Sequence, residues 1–163
     1  MTFTEKAWGI FRNAVDDYHK TDNIDADFVN PHPVNTIEAA LYRKCWIDTV
    51  QWHMEDIIRD PNINPVEALA LKRRIDKSNQ DRTDLVVQID HYFLETYKDV
   101  RPLDGATLNT ETPAWAVDRL SILYLKIYHM EEQVSRQEAD AAHRERCQAK
   151  LAVLREQKQD LSG

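Results

Sequence analysis

The sequence predicts an all-α protein, most simply an antiparallel bundle of four to five helices with a long C-terminal helix. Three observations predict this class. Glycine is absent from residues 10–104, and the period-two alternation of β-branched residues that is typical of strands is scarce. Apolar residues instead recur at helical spacing in four segments, and each segment meets proline or a polar stretch at its ends.

The first two helices have recognisable ends. The first is expected over about 4–19, where large apolar residues share one face, and a polar, proline-containing stretch follows it. The second begins where Asn35 is predicted to be the N-cap, with Glu38 as its capping-box partner. It is expected to run from about Thr36 to Arg59, because Pro61 cannot continue a helix.

The third and fourth helices are separated by a loop. Asn64 followed by Pro65 is typical of a helix start, so the third helix is expected from Pro65 to about Tyr97. Residues 98–112 are expected to form an ordered or functional loop. The fourth helix should open at Thr112 and Pro113 and continue as the long C-terminal helix, with a break near 135–140.

Composition limits the class of protein. With 163 residues, of which 42% are apolar, the chain is expected to form one helical domain over residues 1–163. No stretch approaches ~20 consecutive apolar residues and no signal peptide is recognisable, so we expect no membrane span and a cytoplasmic location. The net charge of −7 makes nucleic acid an unlikely partner. Cys45 and Cys147 lie far apart and are expected to be buried thiols.

Three predicted helices carry polar residues where apolar ones belong. In the second helix, His53 and Asp56 point the same way beside the apolar stripe. In the third, Asn79 and Arg82 occupy the centre of the stripe. In the fourth, Asp118 lies on an apolar face, and Arg82 is its expected partner. Unpaired polar groups at core positions cost about 1–3 kcal/mol each, so we expect these groups to converge on a polar site.

These polar residues and their neighbours form the predicted site. The expected catalytic residues are His53, Glu55 and Asp56, and the expected ligand-binding residues are Lys72, Asn79, Arg82, Glu111, Trp115 and Asp118. An imidazole suits proton transfer near neutral pH, since its ordinary pKa is about 6.5. Carboxylates are hard oxygen ligands, so Mg²⁺ or Mn²⁺ would be the metal, and the basic residues would hold an anionic metabolite.

Familiar catalytic motifs are absent from the sequence. No Glu has a His three positions later, as ferritin-like di-iron bundles require, and there is no HExxH sequence. GxGxxG and GxxxxGK are also missing, which excludes nucleotide binding of the familiar loop type. What remains is acid-rich chemistry between helices, or a buried ion-pair network whose role is to set helix register.

Two motifs resemble a bacterial family, domain of unknown function 4254. They are the WHxED sequence of residues 52–56 and the KRxIDxxNQ sequence of residues 72–80. The resemblance extends over about residues 5–160 and implies a helical fold and the importance of these motifs, but it implies no activity. Members of the family tend to have an acid where Val87 stands and to continue beyond Gly163, so a C-terminal segment is expected to be missing here.

The sequence supports two functional hypotheses. The first is a cytoplasmic helical-bundle enzyme that acts on a small phosphorylated or otherwise anionic metabolite through a buried polar site, with or without a divalent metal. The alternative is a non-catalytic oligomeric scaffold or adaptor whose polar core fixes helix register. In either case the sparsely apolar stretch 131–160 could pair with another subunit or bind a protein partner.

Overall fold

A computed structural model describes residues 2–96, 113–135 and 141–162 of the chain. Within these residues the protein consists of helices without strands, which confirms the predicted all-α class. The helices are α1 (Phe3–Thr21), α2 (Ile37–Ile58), α3 (Pro65–Thr96), α4 (Pro113–Ser135) and α5 (Ala141–Ser162). The predicted loop over 98–112 lies outside the described residues.

Polar side chains cap the helix starts, as the sequence suggests, with one difference. At α3, Asn64 Oδ1 accepts a hydrogen bond of 2.9 Å from the Val66 amide, as expected of an N-cap. At α2 the N-cap is Thr36 rather than the predicted Asn35, because the Thr36 hydroxyl accepts from the Ala39 amide at 3.2 Å. Asn35 instead takes a left-handed conformation with φ of 65°, which asparagine tolerates better than most residues.

The expected long C-terminal helix is not confirmed. Helix α4 ends at Ser135, and the last helix, α5, has 22 residues. Helix α5 packs against α4, where Leu151 is buried in a cluster with Leu123 and Ile127. Part of the predicted partner-binding stretch is therefore used within the chain. The antiparallel arrangement and the single domain stay predictions.

Helices α1 to α4 enclose the main hydrophobic core. Helix α2 packs against α1, α3 and α4, so it lies at the centre of the bundle. The largest fully buried apolar and aromatic side chains include Phe11, Tyr18, Leu41, Tyr42 and Ile89. Because α2 contacts helices on several sides, Lys44, Asp48 and Gln51 are buried inside the bundle, whereas Asp56 remains exposed.

In the part of the chain that the structure describes, no helix combines the length and the apolar character that a membrane span needs.

Candidate functional site

The first polar feature inside the bundle is an ionic centre formed by Lys44, Asp48, Arg82 and Asp118. Lys44 Nζ pairs with Asp48 Oδ2 one helical turn along α2, and lies 2.7 Å from Asp118 Oδ1 of α4. Arg82 Nε of α3 lies 3.1 Å from Asp118 Oδ1 and 4.0 Å from Asp48 Oδ1. The predicted pairing of Arg82 with Asp118 is therefore present, and the centre joins α2, α3 and α4.

The ionic centre is deeply buried and its charges balance. Lys44 is 0% exposed, Asp118 4% and Asp48 5%, while the Arg82 side chain keeps 28% exposure. Burial raises the pKa of Asp48, whereas Lys44 and the Ser121 hydroxyl, which donates to Asp48 Oδ2 at 2.8 Å, stabilise its carboxylate. Two cations therefore face two carboxyl groups, and the four side chains come from three helices.

A second set of polar contacts links α2 to α3. Gln51 Nε2 donates a hydrogen bond of 2.9 Å to Asn79 Oδ1. The Ser78 hydroxyl donates to Gln51 Oε1 at 3.1 Å. Gln51 Nε2 also lies 3.5 Å from Glu55 Oε1, one turn further along α2. Of the two α3 residues in these contacts, Ser78 is buried and Asn79 is exposed. The predicted core position of Asn79 is therefore wrong, and the Gln51 amide meets one buried polar group of α3, the Ser78 hydroxyl.

The second polar feature is a histidine cluster made of His19 from α1, His53 from α2 and His129 from α4. Each imidazole offers a nitrogen, and the three nitrogens lie within 4.8 Å of one another. The closest pair, His53 Nε2 and His19 Nε2, is 3.3 Å apart. All three side chains are half-buried, so the cluster lies at the edge of the bundle rather than in its core.

Aromatic rings and local hydrogen bonds orient the three imidazoles. His53 stacks on Tyr18 at 4.9 Å, His129 stacks on Trp52 at 4.6 Å, and His19 lies 4.7 Å from Tyr128 in a tilted arrangement. His19 Nδ1 is 2.7 Å from the Val15 carbonyl oxygen, and His129 Nδ1 is 3.2 Å from Glu132 Oε2. Both partners are acceptors, so in the neutral rings each Nδ1 carries the proton and each Nε2 carries the lone pair. The lone pair of His19 Nε2 lies within hydrogen-bond distance of His53 Nε2.

Two imidazoles of the cluster have lowered pKa values. Burial lowers the pKa of His53, and His19 lowers it further, against the opposing charges of Asp22, Asp56 and Glu132. Burial also lowers the pKa of His129, with His53 and His19 adding to the effect and Glu132 opposing it. Burial and the neighbouring imidazoles therefore favour the neutral forms of His53 and His129.

An open groove adjoins the cluster, between α2, α4 and α5. Its volume is about 660 Å³, and its walls are formed by Trp52, Asp56, Lys126, His129, Met130, Ala149, Lys150, Val153, Leu154 and Gln157. We call it the α5 groove. His129 belongs to both features, and its Nε2 is buried without a hydrogen-bond partner among the described residues. The groove and the cluster therefore share the His129 ring.

The residues predicted for one site fall into separate places. His53 lies in the histidine cluster and Asp56 on the wall of the α5 groove. Arg82 and Asp118 lie in the ionic centre. Asn79 and Glu55 contact Gln51, as described above. The sequence could not show this separation, because helical spacing assigns residues to a face but not to a depth in the bundle.

Lys72, Trp115 and Glu111 complete the set of predicted site residues. Lys72 is 61% exposed and pairs with Asp76 at 2.7 Å on the surface of α3. Trp115, near the start of α4, is partly exposed. Glu111 lies outside the described residues. A surface ion pair such as that of Lys72 contributes little, and no described contact joins it to the cluster or the groove.

Sequence reasoning missed four residues that matter here: Lys44, Asp48, His19 and His129. The i, i+4 spacing of Lys44 and Asp48 was visible, but such pairs are common on solvated helix faces. His19 and His129 come from helices that the sequence does not place beside α2. The sequence does contain one indication of this cluster. Three histidines on three different helices of one bundle can lie together when they are at the same height along the bundle axis.

The fold and its polar features define a helical-bundle protein with a buried ionic centre and a histidine cluster beside an open groove. The family model described as "Protein of unknown function (DUF4254)" matches residues 38–163, more than half of the chain. The chain therefore belongs to the DUF4254 family, which confirms the resemblance found in the sequence. No curated protein and no solved structure matches it.

Proposed function

We propose that the protein is a cytoplasmic enzyme that acts on a small phosphorylated or otherwise anionic metabolite bound in the α5 groove. The observation that carries this proposal is the dual position of His129, which lies in both the groove wall and the histidine cluster. A ligand in the groove would thus contact an imidazole that other imidazoles surround. Such rings provide acid–base or metal-binding chemistry near neutral pH.

The charge of the groove supports an anionic ligand. Lys126 on α4 and Lys150 on α5 both line it. Neither ammonium group has an ion pair among the described residues, whereas Asp56, the acid of the groove wall, lies 3.7 Å from Arg59. Unpaired cations in a concave site attract anions and give them a fixed place to bind.

The apolar part of the groove supports a small organic molecule rather than an inorganic ion alone. Trp52 forms a flat wall where it stacks on His129, and Met130, Val153 and Leu154 add apolar surface. A volume of about 660 Å³ is in the range of small-molecule sites. The groove therefore combines an apolar wall with a few polar groups, as metabolite sites usually do.

A smaller cavity of about 410 Å³ between α1, α4 and α5 is a weaker candidate. Its basic residues are already engaged. Arg155 pairs with Glu131 at 3.0 Å, and Lys158 lies over the Trp8 ring at 4.2 Å. No histidine of the cluster lines it. The α5 groove is therefore the better place for the proposed ligand.

A thermal-shift screen tests the proposal. Protein without a histidine tag would be screened against inorganic phosphate, sugar phosphates, nucleotides and dicarboxylates. A ligand at 100 times its Kd adds about 2.7 kcal/mol of stability, so binding should raise Tm by several degrees. The double variant Lys126→Gln/Lys150→Gln should lose the shift.

The matched control is Lys6→Gln/Lys20→Gln, which removes the same charge from α1, where each lysine pairs with a carboxylate. This control should keep the shift, and the shifting compound should then be converted by the wild-type protein, as followed by NMR. A flat screen, or an equal loss in both double variants, would contradict a site in the groove.

The scaffold hypothesis has one specific observation in its favour. Helix α3 exposes Val66, Leu69, Val87 and Leu94, and α5 exposes Val153. Large exposed apolar side chains on a helix can mark an interface. In that case sedimentation velocity should show a concentration-dependent oligomer that Val87→Glu/Leu94→Glu dissociates.

A further inference from the structure

The histidine cluster has the geometry of a metal-binding site. Nitrogens bound to Zn²⁺ at about 2.0–2.1 Å in a tetrahedral arrangement lie about 3.3–3.4 Å apart. His19 Nε2 and His53 Nε2 are 3.3 Å apart. The third ring, His129, has its ligand nitrogen within 4.8 Å of the other two. A small rotation of one imidazole would bring the three nitrogens around one ion.

The outer hydrogen bonds of the cluster also match those of metal-binding histidines. Such histidines almost always donate the second ring N–H to a carbonyl or a carboxylate, which fixes the tautomer and leaves the other nitrogen free to bind. His19 does so to the Val15 carbonyl at 2.7 Å, and His129 to the Glu132 carboxylate at 3.2 Å. In both rings, Nε2 therefore carries the lone pair that would bind a metal ion.

One of these nitrogens makes no hydrogen bond with the described residues. His129 Nε2 is buried and has no hydrogen-bond partner among the described residues. Buried polar atoms are nearly always paired, so an unpaired one in a cluster of similar groups indicates a bound ligand or ion.

We infer that His19, His53 and His129 bind one divalent transition metal ion of the zinc type, through imidazole nitrogens. Three imidazoles favour Zn²⁺ or a related ion over the Mg²⁺ or Mn²⁺ expected from the carboxylates, because those ions prefer oxygen ligands. Three protein ligands are also the number found in catalytic zinc sites, where the fourth position is kept for water or substrate. The catalytic role of the ion rests on the proposed function, but its binding does not.

The experiment uses tag-free protein treated with a chelator and then dialysed. Zn²⁺ is titrated by calorimetry, and Co²⁺ by visible absorption, which distinguishes a four-coordinate ion from a six-coordinate one. The wild type should bind one Zn²⁺ per chain. Glu132→Gln removes an outer hydrogen-bond partner and should lower the affinity for Zn²⁺ about 10–100-fold. His53→Gln and His129→Gln each remove a metal ligand and should lower that affinity further.

The matched control is His91→Gln, an exposed histidine of α3, which should bind Zn²⁺ as the wild type does. Circular dichroism would confirm that each variant keeps its helices, and His19→Gln replaces any variant that does not. Absence of Zn²⁺ binding by the wild type would overturn the inference. So would wild-type affinity in the folded cluster variants.

The same variants separate this inference from the proposed function. If Zn²⁺ binds as expected while no anion stabilises the protein, the metal site stands and the proposed enzyme does not. If an anion binds through Lys126 and Lys150 while Zn²⁺ does not bind, the groove function stands and the metal site is refuted.

Discussion

The ionic centre and the histidine cluster are both polar groups between helices, but they differ in how their charges are balanced. In the ionic centre, two cations face two carboxyl groups deep in the bundle. In the cluster, three imidazoles lie close together at the edge of the bundle, and His129 Nε2 has no hydrogen-bond partner among the described residues. Asp48 Oδ1 and Asp118 Oδ1 also lack hydrogen-bond partners among the described residues, but each lies in an ion pair. A buried centre whose charges balance is suited to stabilising the fold, whereas a cluster with an unpaired nitrogen is suited to binding a ligand.

The largest expected effect is on stability, in the ionic centre. Lys44→Met leaves Asp48 and Asp118 buried with Arg82 as the remaining cation, so the free energy of unfolding should fall by about 3–5 kcal/mol. Urea denaturation measures this. The exposed Lys72→Met should cost less than about 1 kcal/mol. Equal losses in the two variants would show that the buried pairing does not hold the bundle together.

A smaller effect is expected for a hydroxyl that supports the same centre. Ser121→Ala removes a hydrogen bond to the Asp48 carboxylate and should cost about 1.5–3 kcal/mol, as bonds to charged groups do. Ser78→Ala, which removes a bond to the neutral Gln51 amide, should cost about 0.5–1.5 kcal/mol. Urea denaturation of the two variants compares them directly. A reversed order would mean that the Asp48 carboxyl is not charged in the folded protein.

Removal of an imidazole from the metal-free cluster should have a still smaller effect on stability. His53→Gln is expected to change the free energy of unfolding by less than about 1 kcal/mol, because the side chain is half-buried and surrounded by like groups. Ligand binding, not stability, should be lost. A loss of about 3 kcal/mol or more is what breaking a buried ion pair costs. Such a loss would show that the cluster stabilises the fold, as the ionic centre is expected to do.

The smallest expected effect is a pH dependence of the metal-free protein. Folding lowers the pKa of His53 and His129, so below about pH 6.5 the unfolded chain binds more protons than the folded one. Stability contributed by these groups is therefore complete above pH 7 and declines as the pH falls from 7 to 5. Denaturation with urea at several pH values measures this.

The matched control for the pH experiment is the double variant His53→Gln/His129→Gln. It keeps His19 and the neighbouring acids Asp22, Asp56 and Glu132, and it should show a flatter profile over the same range. A profile as steep as that of the wild type would assign the pH dependence to other groups.

Much of the fold could be predicted from the sequence because helices depend on local features. Proline and polar caps delimit α1 to α4 to within a few residues, and the strip that carries His53 on α2 was recognised as unusual. The difference at the α2 cap is also local, since Thr36 and Asn35 are both good capping residues and the backbone geometry decides between them. The break expected near residues 135–140 falls almost entirely outside the described residues.

The candidate site could be predicted only in part. Polar residues at core positions were identified on three helices, and the Arg82–Asp118 pair was correctly expected. Lys44, which completes that pair, was missed because a lysine on a helix usually lies on the solvated face. His53 stays a predicted site residue, and it lies beside an imidazole of α1 rather than the carboxylate of its own helix that was expected as its partner.

The sequence by itself determined the helices, their caps and the presence of polar groups on faces that pack inward, since these depend on residues within a few turns of one another. Only the tertiary structure decided which of these groups meet. The side-by-side packing of α1, α2 and α4 placed three histidines together, and the insertion of α2 among its neighbours buried Lys44. Helix periodicity specifies direction around one axis, whereas contact between helices depends on how their surfaces pack.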